Sequence, residues 1–502
     1  MLSNTKKTAA LYLIVAIFVA IGLFFLIKKD TYLAFAVPIV IGVLLLYIFS
    51  LDKVLLLTAL VTPLSVNLQS LDERLALSLP SEPMLAGLLV LFIAKLLCEK
   101  NIDKRTSRHP ISIVIYLMFI WMIFTTITSE IPLVSIKYVI SRLWFIVPAY
   151  FMCCLLFKNP KNINRFVWLY MTGLVIVVLY TITNHALNGF SGKSAHWVMT
   201  PFYNDHTAYG AAVAMYLTLC AGYLFMPKMS TKKRIGVVIV LCLLTTALIL
   251  SFCRASWVSI IAAIGVLVCV LLRIKFKYIA TIAVILIGLF FTFKQQIFDV
   301  LERNDQDASG NIVENIRSIT NISTDASNLE RINRWNSAIR MFKERPITGW
   351  GPGTYQFVYA PFQESKNKTI ISTNSGDMGN AHSEYIGALA EMGVLGSLNV
   401  VLLVIVFIYC GLTTYRRAKN KESRILVLSA TLSLIGYFVH GILNNFLDTD
   451  KLAIPVWSCL AIIAAIDTYH ADKSDFYEPI EDADYQQVRY QKQLESKQEC
   501  HR

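Results

Sequence analysis

Three short segments carry residues suited to chemistry. In His382-Ser383-Glu384-Tyr385 a histidine stands just ahead of a long apolar run. At a helix N-terminus the positive end of the peptide dipole favours a neutral imidazole, which is what a general base requires near pH 7. The plain alternative is a histidine that caps the helix or anchors it at the headgroup level. In Ser251-Phe252-Cys253-Arg254 an arginine sits where two apolar runs meet. So close to hydrocarbon it must find a partner or snorkel, and snorkelling is the competing reading. In Glu330-Arg331-Ile332-Asn333-Arg334-Trp335 two arginines three apart share one helical face, and such forked cations suit a diphosphate. Against that, charge runs, here with Glu330 and Glu344, usually coat a solvated face.

Other chemistries find little support. His185, His196, His206 and His440 show neither HExxH nor a comparable ligand spacing, so no metal site is expected. Nearly all of the ten cysteines lie in or beside apolar runs, with no CxxC pair, and read as small packing residues. No P-loop, GxGxxG or GxSxG occurs in a strand–turn–helix context, which argues against nucleotide hydrolysis and serine-hydrolase chemistry. No cofactor is expected.

The elements that must position these groups are membrane helices. Of 502 residues, 56% are hydrophobic and only 16% charged, and the mean hydropathy is +0.56. A soluble domain carries about a quarter charged residues. Apolar runs at 9–27, 32–51, 54–66, 84–98, 111–128, 143–157, 166–184, 207–226, 235–252, 256–272 and 278–293 precede one large polar segment. Runs at 385–410, 425–446 and 452–469 follow it. The run at 54–66 is short and contains Pro63. The expected fold is therefore an all-α polytopic membrane protein of about 12–14 transmembrane helices with one large loop containing short helices. The first run lacks a small-residue cleavage site and reads as an uncleaved span.

The formal charge of +13 is concentrated in short loops between the runs, a positive-inside pattern rather than a nucleic-acid footprint. Basic loops at 100–108, 228–234, 273–277 and 416–424 all fall on one side when spans are counted from a cytoplasmic N-terminus. The same count puts the Lys294–Ala381 segment outside. The domains expected are an N-terminal bundle (1–293), an outward catalytic loop (294–384), C-terminal helices (385–470) and a charged cytoplasmic tail (471–502). Within the loop, 304–328 reads as irregular, and Leu329 to Lys343 reads as a helix burying a stripe of Ile332, Trp335, Ile339 and Phe342. Pro346 ends it, and Gly349-Trp350-Gly351-Pro352-Gly353 reads as a run of turns.

In order, these segments resemble the O-antigen ligase and polymerase superfamily of bacterial envelope enzymes. The ligase signature is a histidine, then Asn, Ser or Gln, nine residues, Gly, two residues, and Gly, Thr or Tyr. His382-Ser383, Gly393 and Gly396 fit it without a gap. Ser251-Phe252-Cys253-Arg254 is similar to the family's arginine after a serine-rich span end, with Cys253 where a serine is usual. Arg331 to Trp335 and the turns from Pro346 to Gly353 resemble the family's Arg-x-x-x-Trp and glycine-rich turn. Asn204-Asp205-His206 looks like its asparagine-rich span opening. The match covers about 204–396; residues 1–200 offer topology only.

The resemblance implies glycosyl transfer at the periplasmic face of the bacterial inner membrane. The donor would be a glycan on undecaprenyl diphosphate and the acceptor a hydroxyl of lipid A–core. His382 would be the base, with Arg254 and Arg331 on the diphosphate. Arg334, Ser383, His206 and Trp335 would contact substrate or hold the loop. An O-antigen polymerase, or an enzyme glycosylating protein hydroxyls, would share the donor and differ in acceptor. A polysaccharide transporter is the reading from another class, but no internal repeat is evident and the ionisable residues gather at one rim.

Overall fold

The computed structural model describes most of residues 42–67, then 77–98, 103–274, 326–364 and 379–471. In chain order the helices are α1 (Leu51–Val61), α2 (Ser81–Cys98), α3 (Pro110–Ile127), α4 (Pro132–Leu156), α5 (Pro160–Leu187), α6 (His206–Tyr223), α7 (Thr231–Leu250) and α8 (Arg254–Leu271). After the large loop begins come α9 (Ala326–Glu344), α10 (Glu384–Arg417), α11 (Lys421–His440) and α12 (Asp450–Tyr469). Among the described residues, nine helices are long and apolar enough to cross a membrane. The sheet content described is one two-residue pairing, Val66 with Leu79 and Asn67 with Ser78. The chain is an all-α polytopic membrane protein. The runs expected at 9–27, most of 32–51 and 278–293, most of the stretch 304–328 expected as irregular and the tail after Ala471 lie outside the described residues; residues 326–328 of that stretch open α9 instead.

Local chemistry explains where the helices start. Asn159 accepts from Lys161 N–H ahead of Pro160 in the first turn of α5, and His109 Nδ1 accepts from Ile111 N–H ahead of Pro110 in α3. One expected span needs correcting: 143–157 is only the second half of α4, which begins at Pro132. Lys137 and Arg142 interrupt the apolar run, but Arg142 is buried inside the protein and donates to Tyr138 Oη and the Leu447 carbonyl. An internally satisfied arginine does not end a helix that other helices surround.

The centre of the bundle is α11 and α12, whose apolar windows are 78% and 83% buried, whereas those of α2, α7 and α8 are 22% buried. Helix α11 packs against α6, α8, α10 and α12. Small residues make that possible: a Cβ at Gly222 would lie 1.9 Å from Ser429 Oγ, and one at Gly411 would lie 2.2 Å from Thr431 Oγ1. In lipid, where helices gain little hydrophobic drive toward one another, such close backbone approach supplies the association.

Helix α9 stands outside this bundle and docks on the start of α10. Its buried side is not the expected apolar stripe. Glu330, Asn333, Arg334, Ser337, Ala338 and Met341 are buried, while Ile339 is 39% exposed. The polar side turns inward because its groups are paired: Asn333 Nδ2 donates to Gln363 Oε1 at 2.9 Å, and Ser337 Oγ to the Asn333 carbonyl at 2.9 Å.

Candidate active site

The turns after α9 clamp the loop to α10. Trp350 N–H donates to the Ala390 carbonyl (3.1 Å), Gly351 N–H to that of Glu391 (2.8 Å), and Val394 N–H to that of Pro346 (3.0 Å). They land where α10 breaks: Gly393 has φ 66° and ψ −166°, and a Cβ there would sit 2.0 Å from the Ile347 carbonyl oxygen. Only glycine occupies that backbone region readily. The Gly393 spaced eleven residues after His382 therefore fixes α9 above the histidine.

His382 precedes α10 in a left-handed conformation, φ 48°. Its N–H donates to Asn380 Oδ1 at 3.0 Å, and its carbonyl accepts from Trp335 Nε1 at 3.3 Å. Burial first, then the charges of Arg331 and Arg334, push its imidazole down to about 3, against a smaller opposing pull from Asp205. The ring is held neutral.

Arg331 is the electrostatic centre of the site. Its charge acts on His382, His206, His440 and Arg254. Burial lowers its own pKa, partly opposed by Cys253 and Asp205. Arg254 opens α8, directly after Phe252 in the left-handed region (φ 51°) and Cys253. Gly210 lets α6 approach that corner, since a Cβ there would be 2.7 Å from Ser256 Oγ and 2.9 Å from Cys253 Cβ. Asp205 caps α6 by accepting from Thr207 N–H (2.7 Å) and Ala208 N–H (2.8 Å). Beside it, His206 Nδ1 lies 3.1 Å from His196 Nδ1.

Arg331 thus lies within electrostatic reach of Arg254, His382 and His206, and Trp335 braces the backbone of His382. Arg334 and Ser383, expected to contact substrate or hold the loop, are engaged within the protein. Arg334, 6% exposed, pairs through Nε with Glu330 Oε1 at 2.7 Å, donates to the Asn380 carbonyl at 3.2 Å and lies over the Tyr359 ring. The helix turns it into the protein, where Glu330 compensates its charge. Ser383 is 1% exposed, and its Oγ accepts from Tyr385 and Ile386 N–H at 3.3 Å each, capping α10. Sequence reasoning missed Asp205, Glu384 and His440. His440, 1% exposed, places Nε2 3.8 Å from Cys253 Sγ, so the cysteine at the usual serine position packs against a histidine. For Asp205 the signal was its place just ahead of an apolar run; for the other two, no spacing pointed to them.

Two arginines in each other's field, beside a neutral histidine at the end of a membrane bundle, suit an anion and a group to be deprotonated. The chain is 24% identical over 229 residues to an uncharacterized protein of Haemophilus influenzae, covering 45% of this chain and 55% of that protein. It thus spans about half the length of that curated relative. Residues 237–401, which contain Arg254, Arg331, His382, Gly393 and Gly396, match the O-antigen ligase family model, so this segment is similar to that family.

Proposed function

We propose that this protein transfers a glycan from undecaprenyl diphosphate to a hydroxyl of lipid A–core at the periplasmic face of the inner membrane. The observation that carries the reading is that Arg331 acts electrostatically on both Arg254 and His382, three residues from separate segments of the chain. The mutual repulsion of two half-buried guanidinium groups is relieved by a ligand with two adjacent negative charges, and a diphosphate is one. The acceptor oxygen attacks the anomeric carbon while its proton passes to His382. The bond from that carbon to the diphosphate oxygen breaks, and Arg254 and Arg331 take up the charge left on the leaving group. One displacement inverts the anomeric centre. The broken bond supplies the driving force, so neither nucleotide nor metal is required. Membrane lipid surrounds the helices and carries the donor to the site.

The test is single-turnover transfer by purified protein given lipid-linked glycan and lipid A–core, with product linkage determined. Glycan appearing on lipid A–core with inverted linkage supports the reading. Extension of the carrier-linked glycan, or glycosylation of protein hydroxyls, would reassign the acceptor and leave the donor chemistry in place. His382→Ala should lower turnover roughly a hundredfold to ten-thousandfold while donor still binds. Arg254→Ala and Arg331→Ala should each cost about a hundredfold or more, with poor rescue by lysine. Turnover abolished by EDTA and restored by a divalent ion would overturn the metal-independent step.

A further inference from the structure

We infer that Glu384 is a positioning residue for His382, holding the base by tying the start of α10 to the turn that follows α11. The inference rests on the reading of His382 as the base.

The capping of α10 is already provided by Ser383, so the helix start does not need Glu384 for that purpose. The Glu384 side chain instead crosses to another part of the bundle. Its Oε1 accepts from Tyr437 Oη at 2.7 Å, Phe446 N–H at 2.9 Å and Leu447 N–H at 3.0 Å. Its own N–H donates to the Gly441 carbonyl at 2.8 Å. Residues 437–447 therefore grip Glu384 from both its backbone and its carboxylate. Arg142, which donates to the Leu447 carbonyl, is the cation acting on that carboxylate, and Asp448 is the anion acting against it.

His382 needs such a grip. Its left-handed φ of 48° is sparsely populated by residues with a Cβ, and such a conformation persists only where the chain is fixed on both sides. On the N-terminal side Asn380 Oδ1 holds the His382 N–H. On the C-terminal side Trp335 holds the His382 carbonyl, and the next residue tied to another element is Glu384, two residues on. The same turn region contains His440, which faces Cys253 beside Arg254. It thus touches both the segment bearing the base and the segment bearing one cation, and Glu384 is the link on the base side.

The experiment is a double-mutant cycle in full-length protein, with single-turnover rate and donor affinity measured separately and thermal stability recorded for each variant. Glu384→Ala should lower the rate on the order of a hundredfold with donor affinity changed less than about threefold, since a misplaced base costs rate, not ground-state binding. In the His382→Ala background the same change should cost less than about threefold, because a residue acting through His382 has nothing left to position. Tyr437→Phe removes one of the three donors and should show the same split with a smaller loss, which keeps the test open where Glu384→Ala fails to fold. Equal losses with and without His382, a matching loss of donor affinity, or wild-type rate in folded Glu384→Ala or Tyr437→Phe overturns the inference while the base survives. A wild-type rate in His382→Ala removes the base itself, and this inference with it.

Discussion

Trp335 donates its indole N–H to the backbone carbonyl of His382 at 3.3 Å, joining the loop helix to the residue it covers. The contact is to backbone, so it steadies the histidine without touching its ring. Trp335→Phe keeps an aromatic ring and loses the bond, worth about 1 kcal/mol. The expected result is a fall in turnover of roughly fivefold with donor affinity unchanged. Stopped-flow transfer beside donor titration checks it, and a loss confined to donor affinity would place Trp335 on the substrate instead.

Arg334 and Arg331 lie three residues apart and should behave differently on truncation. Arg334 is 7% exposed at the side chain and its partner Glu330 5%, so Arg334→Ala removes the cation paired with a buried carboxylate. Removing one member of such a pair costs about 3–5 kcal/mol. The variant should melt markedly lower in detergent, and the double substitution Arg334→Met with Glu330→Leu should recover much of the loss. Arg331→Ala should keep stability nearer to wild type and lose turnover. The reverse assignment would mean that Arg334 is the diphosphate ligand.

This contrast shows where the sequence is legible. Long apolar runs disclose the membrane helices, because hydrocarbon solvates only helices whose backbone groups are satisfied internally. Arg254 and His382 stood out by their placement at run ends, and their expected grouping with Arg331 came from the family resemblance. The roles of Arg334 and Ser383 were not legible. Each depends on a partner that only the folded chain supplies: Glu330 one turn back with Asn380 for the arginine, and the free amides of α10 for the serine. The rotation of α9 was misread for the same reason, since periodicity marks apolar positions and here hydrogen bonds let the polar side be buried. Arg142 misled in turn by breaking an apolar run that the fold carries through unbroken.

Gly393 should tolerate no side chain. Its φ and ψ lie in a region costing any other residue about 1–3 kcal/mol, and the Ile347 carbonyl occupies the space a Cβ would need. Gly393→Ala should therefore release the 346–351 turn from α10 and expose the loop helix. Limited proteolysis should cut near α9 faster than in wild type, with turnover falling in parallel. Gly396, whose added Cβ would lie 2.4 Å from Met392 Cβ and 2.9 Å from the Ala388 carbonyl oxygen, crowds α10 itself and not the 346–351 turn, so Gly396→Ala should leave proteolysis near α9 closer to wild type. Unchanged proteolysis in Gly393→Ala would refute the docking role.

The orientation inferred from the basic loops puts α9 outside the cytoplasm. Lys343 is exposed near the end of that helix. A cysteine introduced there, in a background lacking the native cysteines, should react with an impermeant maleimide in intact spheroplasts. A cysteine in place of Lys232, within a basic loop, should react only after lysis. Exchange of the two patterns would invert the topology and remove the periplasmic assignment.

The electrostatics of His382 make the last prediction one about pH. Burial and the charges of Arg331 and Arg334 all disfavour the imidazolium, so the pKa moves down from 6.5 to about 3 and the base form persists into acid. With donor absent, the His382 contribution to kcat/KM should therefore stay flat from neutral pH down to about pH 5, where an ordinary histidine would already have lost most of its activity. Donor binding brings negative charge to Arg331, which offsets part of its field and raises the histidine pKa in the complex. The acid limb of kcat should accordingly lie at higher pH than that of kcat/KM. Arg331→Gln removes one of the two cations acting on the ring, so its residual kcat/KM should acquire an acid limb at higher pH than wild type, while Lys343→Gln, exposed at the far end of α9, should not. An acid limb near pH 6.5 in wild-type kcat/KM, vanishing in His382→Ala, would show a solvated histidine and disprove the desolvated site.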